Sequence, residues 1–215
     1  MTPNKEDYLK CIHELTETHE KLTNKKIAEM MAVSPPATSE MLKKLITDNL
    51  IVKDKELGYY LTKQGLLLVS ELVRKHRIIE IFLVNHLHYS IKETHEEAEV
   101  LEHTVSTNFI DKLEASLNFP KFCPHGGTIP QKGEFLIEKN HIRLSQIKLL
   151  GTYTIKRVID NIDLLQYLDK HDLSIGQNVS LTAIDSYAMT YTLTYNNKEL
   201  SIPENIAKQI FVKAI

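Results

Sequence analysis

Residues 24–62 read NKKIAEMMAVSPPATSEMLKKLITDNLIVKDKELGYYLT. Thr23 stands ready to cap a short helix over 24–31. The run Ala32-Val33-Ser34-Pro35-Pro36 then breaks that helix. Ser34 is a good N-cap, and proline is tolerated at the first helical position because its missing N–H would go unbonded there anyway. The next helix reaches about residue 48, with Met41, Leu42, Leu45 and Ile46 on its apolar side. Residues 50–54 and 59–62 read as two short strands around a glycine-containing turn at 55–58. Upstream, residues 4–16 form a helix whose apolar stripe is Tyr8, Ile12 and Leu15.

Helix, helix, turn, helix and β-hairpin in this order make a winged helix-turn-helix arrangement. The third helix would enter a DNA major groove, and the hairpin would be the wing. Residues 63–88 read as one long helix that is apolar almost all round, including Leu66, Val69, Leu72, Val73, Ile78, Ile79, Ile81, Phe82 and Leu83. Such a helix must be buried on more than one face. One face serves its own domain, and the other most simply meets a second copy of the chain. A further helix is expected over 92–117, striped by Ala98, Leu101, Val105 and Phe109. Residues 119–133 read as loop, punctuated by Pro120, Pro124, Gly126, Gly127 and Pro130. Beyond them lie a weak helical signal at 145–150, an apolar helical pattern at 161–170, and five short strands at 153–158, 179–184, 189–195, 199–202 and 211–214. Asn196-Asn197 is a hairpin turn candidate. That spacing predicts a small C-terminal β-barrel. The fold class is mainly α with a small β domain, divided at 1–72, 73–140 and 141–215.

Composition sets the outer bounds. The chain has 215 residues, 42% hydrophobic and 25% charged, with a formal net charge of -2. Those proportions belong to a folded globular protein. No apolar run approaches the length that spans a bilayer. The first seven residues lack a basic segment followed by an apolar core, so no signal peptide is expected. Two cysteines, Cys11 and Cys123, exclude a disulfide framework and fit a reducing cytoplasm, with no membrane partner. Residues 1–75 hold 12 Lys/Arg against 11 Asp/Glu, but residues 76–120 hold 3 against 8 and carry five of the ten histidines. An acidic, histidine-rich middle needs an explanation.

Residues 93–103 contain Glu93, His95, Glu96, Glu97, Glu99, Glu102 and His103. On a helix His95, Glu99 and His103 stand four apart, with Glu102 three beyond Glu99, so they project from one side. The stripe at Ala98, Leu101 and Val105 adjoins them, so some are half-buried. Crowded carboxylates repel and raise one another's pKa. A divalent cation removes that penalty and takes the same oxygens and imidazoles as ligands. The preceding helix offers His76 and Glu80, again four apart, the loop offers Cys123 and His125, and the first helix offers Asp7. Paired His/Glu helices resemble bundle metal sites. Each element alone has a blander reading: a solvated acidic face, a surface His–Glu pair, a small buried thiol. Their coincidence beside a winged helix favours metal.

Four segments carry a family resemblance: Thr2-Pro3-Asn4-Lys5-Glu6-Asp7-Tyr8-Leu9, the helix-turn-helix of 26–45, Glu99-Val100-Leu101-Glu102-His103, and Cys123-Pro124-His125-Gly126-Gly127-Thr128-Ile129-Pro130. Through them the whole chain resembles the diphtheria toxin repressor family, in its manganese transport regulator branch. The resemblance implies a dimeric, metal-activated repressor of metal-uptake genes that binds double-stranded operator DNA, an inverted repeat. It implies a winged-helix domain, a helical dimerisation and metal domain, and a C-terminal SH3-like (FeoA-like) domain. One metal site maps onto Asp7, Glu99, Glu102 and His103. A second maps onto Glu80, Cys123, His125 and Asp160, with His76 and His95 also at ligand positions that the resemblance leaves unassigned between the two. DNA contacts map onto Ser34, Pro36 and Glu40, with Thr38 and Ser39 near phosphates; apart from the resemblance, Lys43, Lys44, Lys53 and Lys55 are placed to meet backbone phosphates, which carry affinity rather than sequence. Iron-sensing members carry Met and Cys where this chain has Asp7 and Glu99.

Oxygen-rich donors suit Mn²⁺ better than thiolate or thioether would, although Fe²⁺ or Zn²⁺ can enter such sites in vitro. Two Mn²⁺ per chain are expected. Without metal the acidic ligands are expected to repel one another. Two rivals remain: a winged-helix regulator responding to iron or to oxidation of Cys11 or Cys123, and a metallohydrolase. The sequence has no H-E-x-x-H, nucleophile elbow or phosphate loop, so no catalytic residue is assigned.

Overall fold

The computed structural model describes residues 2–16, 20–139 and 141–215. The chain divides into two compact units. The first holds Met1–His76, Glu99–Lys112 and Ile129–Ile137, and the second holds Arg77–Ala98, Leu113–Thr128 and Glu138–Ile215.

The first unit opens with α1 (Pro3–Thr16), α2 (Asn24–Met30) and α3 (Pro35–Thr47), followed by the hairpin β1 (Ile51–Asp54) and β2 (Gly58–Leu61). The Thr23 side chain accepts from Lys26 N at 3.3 Å, and Ser34 Oγ accepts from Ala37 N at 3.4 Å, so both expected caps form. The hairpin register runs from Ile51↔Leu61 to Asp54↔Gly58. Asp54 Oδ1 closes its turn by accepting from Glu56 N at 2.6 Å and Leu57 N at 2.8 Å. Gly58 has φ +83°, and a Cβ there would lie 1.9 Å from the Leu22 carbonyl oxygen, so only glycine fits. Tyr8, Leu9, Ile12, Ile27, Leu42, Leu45, Ile51 and Leu61 share one core. Ile46, expected on the apolar side of α3, is exposed.

The long helix is α4 (Lys63–Leu87), which gives residues to both units. The single helix expected over 92–117 is two helices, α5 (Ile91–Thr104) and α6 (Thr107–Ser116). Ser106 causes the break, its Oγ accepting from Phe109 N at 3.2 Å as a new N-cap. Ser90 and Glu93 form a reciprocal capping box at the start of α5.

The second unit carries β3 (Ile142–Arg143), β4 (Gly151–Val158), α7 (Ile162–Lys170), β5 (Asn178–Asp185), β6 (Thr190–Tyr195), β7 (Lys198–Pro203), a short α8 (Glu204–Ala207) and β8 (Ile210–Ala214). The weak helical signal at 145–150 is only a 3₁₀ turn, Leu144–Gln146. The strands pair antiparallel in the order β3-β8-β4-β5-β6-β7, an SH3-like sheet that is not closed into a barrel. Asn196 and Asn197, at φ +47° and +58°, make the two-residue turn that matches strand twist. Asn161 caps α7 through Leu164 N at 3.1 Å. Leu144, Ile155, Leu164, Leu193, Ile202 and Ile210 lie at the centre of its core. Among the described residues no helix is long and apolar enough to cross a membrane.

Candidate metal centres and DNA-reading helix

Asp7 lies one turn into α1, and Lys10 stands three residues on, on the same helix face. The C-terminal half of α5 brings Glu99, Glu102 and His103 to that face. His103 Nε2 lies 2.9 Å from Asp7 Oδ1 and 3.4 Å from Glu102 Oε1. Its other nitrogen, Nδ1, lies 2.6 Å from Glu6 Oε2. Glu102 is 0% exposed, and His76 Nδ1 on α4 is 2.5 Å from its Oε2. His76 Nδ1 is also 3.9 Å from Glu99 Oε1. Donor atoms of Asp7, Glu102 and His103, and of His76, Glu99 and Glu102, fall within 4.8 Å of one another.

The expected repulsion among these carboxylates is offset from within. Lys10 Nζ reaches Glu99 Oε1 at 2.7 Å and the two Glu102 oxygens at 3.2 and 3.3 Å. Burial opposes the Lys10 charge, yet Glu102 and Glu99 hold its pKa above the ordinary lysine value. Burial likewise opposes the Glu102 charge, but the His76 hydrogen bond and the Lys10 ammonium hold its carboxyl below the usual range. Burial raises Asp7, and His103 only partly counters it.

The second cluster belongs to the other unit. His125 Nδ1 lies 3.0 Å from Glu80 Oε1 and 3.7 Å from Asp160 Oδ1. Donor atoms of Glu80, Cys123 and His125 fall within 4.8 Å of one another. His95 Nδ1 lies 3.5 Å from Asp160 Oδ1, so His95 goes with this group and not with Glu99 and His103. One helix thus serves two clusters, because α5 contributes to both units. Burial disfavours charge on His125, but hydrogen bonds to Cys123 and Glu80 push it up to about 11. Gly126, at φ +78°, tucks the loop so close that a Cβ would lie 2.0 Å from the Lys156 carbonyl oxygen.

Both donor sets fit a divalent cation. The first offers three carboxylates and imidazole, a hard set. The second adds a thiolate, a softer one. In the first, the buried Glu102 already holds a positive partner in Lys10.

Beside the second cluster is a network that sequence reasoning missed. Arg77 Nη2 donates to Glu138 Oε1 at 2.6 Å and Nη1 donates to the Thr128 carbonyl. Thr128 N donates to Glu138 Oε2 at 2.9 Å, and Arg157 Nη1 lies 3.6 Å from Glu138 Oε1. Arg157 also stacks over the Phe211 ring at 3.7 Å. Lys10 and Glu138 gave no motif signal, and Glu6 lies within a quoted motif that assigned it no role. Only the three-residue spacing of Lys10 from Asp7 hints that they share a face.

On α3, Ser34, Pro36, Glu40, Lys43 and Lys44 are exposed. Glu40 and Lys44 pair at 2.7 Å. Ser39 is half-buried and accepts from Asn24 Nδ2 at 2.8 Å. Thr38 corrects the expectation of a phosphate contact: it is 0% exposed, and its Oγ1 lies 3.3 Å from Tyr8 Oη, between α3 and α1.

Residues 1–59 match the family model for the iron dependent repressor N-terminal DNA binding domain. Residues 62–131 match the iron dependent repressor metal binding and dimerisation domain, and residues 142–214 match the FeoA domain. The solved structure of the manganese regulator SloR is 52% identical, with 100% of both chains covered and a TM-score of 0.91. This chain belongs to the diphtheria toxin repressor family. Within that family it falls in the manganese transport regulator branch. ScaR, solved with bound Zn²⁺, is 52% identical over 98% of this chain and 99% of its own, with a TM-score of 0.94. The HTH-type transcriptional regulator MntR of Oceanobacillus iheyensis is 31% identical over 120 residues, 56% of this chain and 81% of that one. Family membership explains why the two donor clusters accompany a winged helix.

Proposed function

We propose that this chain is a manganese-dependent, dimeric transcriptional repressor that binds operator DNA when metal-loaded and silences metal-uptake genes in the cytoplasm. One observation supports it most: Asp7, on the first helix of the DNA-binding part, meets Glu102 and His103 on α5. A bound divalent ion supplies a double positive charge and directional bonds to such donors. In this reading Asp7, Glu99, Glu102 and His103 hold one Mn²⁺, with His76 beside them. Glu80, Cys123, His125 and Asp160 hold a second, with His95 beside them. Glu6 orients His103 by taking its Nδ1, which leaves Nε2 for the metal.

The working parts are 1–72 for DNA reading, 73–140 for dimerisation and metal binding, and 141–215 as the SH3-like domain. Leu87 and Phe119 are exposed apolar side chains that suit contact with a second copy. In a dimer the paired α3 helices read two half-sites of an inverted repeat. Pro36 touches a thymine methyl, Glu40 accepts from a cytosine amine, and Ser34, Lys43 and Lys44 take phosphates.

Oxygen donors at 7 and 99 favour manganese over iron. A thiol sensor is disfavoured because burial lifts Cys11 to about 12, far from the reactive thiolate range, and Cys123 is buried. The deciding experiment is an operator gel shift with metal-free protein against added Mn²⁺, Fe²⁺ and Zn²⁺. Retardation that requires Mn²⁺ supports the reading. Retardation by metal-free protein, unchanged by any of the three ions, refutes it.

A further inference from the structure

We propose that Lys10 is a tethered competitor for the first metal site, seated between Glu99 and Glu102 in the metal-free protein and expelled when Mn²⁺ enters. This rests on the metal reading of the Asp7–His103 cluster and adds a regulatory part to it.

Three observations carry the inference. The Lys10 ammonium makes its contacts with the same carboxylate oxygens that a divalent ion would use, at 2.7 Å to Glu99 and 3.2 and 3.3 Å to Glu102. Glu102 is wholly buried and Lys10 largely so, so the pair is not a screened surface contact. Lys10 also lies one turn from Asp7 on α1, so the tether and the metal donor belong to one helix face. Oxygen–metal bonds of hard divalent ions are close to 2 Å, about 1 Å shorter than these ammonium contacts. Glu99 and Glu102 must therefore close in on the ion. A monovalent cation left against the same oxygens would then face a divalent one at short range in a poorly screened place.

The consequence is an exchange of bridges. Without metal, Lys10 ties α1 to α5 by charge, and Asp7 meets His103. With metal, Asp7 becomes a donor and Lys10 swings to solvent. The lysine lowers apparent Mn²⁺ affinity, because the ion must break the ammonium contacts before it binds. It also keeps the buried carboxylates compensated when metal is scarce, which preserves the fold of the metal-free state.

The test uses the full-length protein. Mn²⁺ binding is titrated by electron paramagnetic resonance of the free ion for the unsubstituted protein, Lys10→Met, Lys10→Gln and His103→Ala. The His103→Ala variant identifies which class of bound ion belongs to this cluster. Lys10→Met and Lys10→Gln are expected to tighten that class at least tenfold and to lower the melting temperature of the metal-free protein only. Amine acetylation read by mass spectrometry needs no variant: Lys10 should be protected without metal and label several-fold faster with Mn²⁺ bound. Unchanged or weaker affinity in both Lys10 variants, or equal labelling with and without bound ion, overturns the displacement while leaving the metal site intact. If His103→Ala alters no class of bound Mn²⁺, the underlying metal reading falls, and this proposal falls with it.

Discussion

Nε2 of His103 lies 2.9 Å from Oδ1 of Asp7, joining α5 to the first helix of the DNA-binding part. Removing either end is expected to uncouple metal from DNA. Asp7→Ala and His103→Ala should each cut Mn²⁺-dependent operator affinity by roughly 5–150-fold, the range of an allosteric coupling of about 1–3 kcal/mol. Footprinting with Mn²⁺ reads the loss, and far-ultraviolet circular dichroism should show helix content intact. Footprints unaltered by both substitutions would contradict the coupling. By reciprocity, operator DNA should tighten Mn²⁺ binding by the same factor.

Glu6 holds the far side of the same imidazole at 2.6 Å. Glu6→Gln should keep the fold and weaken Mn²⁺ at the first site by roughly 10–100-fold, the usual cost of losing a group that orients a histidine ligand. A calorimetric titration that returns the unsubstituted affinity would show that His103 is oriented by other means.

The second cluster predicts a separable effect. Glu80→Ala or Cys123→Ala should lower bound Mn²⁺ from two per chain to one, with a smaller loss of operator affinity than Asp7→Ala causes. Equilibrium dialysis gives the count. One ion per chain in the unsubstituted protein would rule out two sites.

Glu138 sets an acid limit on the second unit. Burial opposes its charge, but Arg77, the Thr128 amide and Arg157 hold its pKa below the ordinary 4.5. A depressed carboxylate contributes stability that is full above the unfolded value and vanishes as pH falls through the folded one. The melting temperature should therefore drop as pH goes below about 4.5, in part through this group. Glu138→Gln should cost on the order of 3 kcal/mol at neutral pH, since it leaves Arg77 buried without its carboxylate. It should also flatten the acid limb of the melting curve. A Glu138→Gln limb as steep as the original would remove Glu138 from the account.

Thr38 and Glu40 are two residues apart and should behave oppositely. Thr38→Val removes a buried hydroxyl contact with Tyr8 and should cost about 1 kcal/mol of stability with operator preference unchanged. Glu40→Ala should leave stability within about 0.5 kcal/mol and relax base preference at one operator position. Selection from a randomised operator library, with parallel denaturant melts, separates the two.

Much of this protein was legible as a string of residues, because the deciding signals are local. Ser34-Pro35-Pro36 starts α3, Asn196-Asn197 turns β6 into β7, and the period of Tyr8 and Ile12 places one face of α1 in a core. A cap, a turn or an amphipathic stripe acts within a few residues, so its chemistry can be read along the chain. The spacing of Glu99, Glu102 and His103 likewise announced a donor face before any fold was known.

Assignments that depend on partners far along the chain were settled only by tertiary structure. His95 and His103 share a helix, yet His95 lies by Asp160 and His103 by Asp7, because α5 passes from one compact unit to the other. Thr38 looks like a polar residue for DNA until the packing of α3 on α1 buries it. Lys10 looks like an ordinary surface lysine until Glu99 and Glu102, some ninety residues away, close around it. Local sequence determines which groups a helix presents, but burial and charge pairing are set by what the folded chain brings against them.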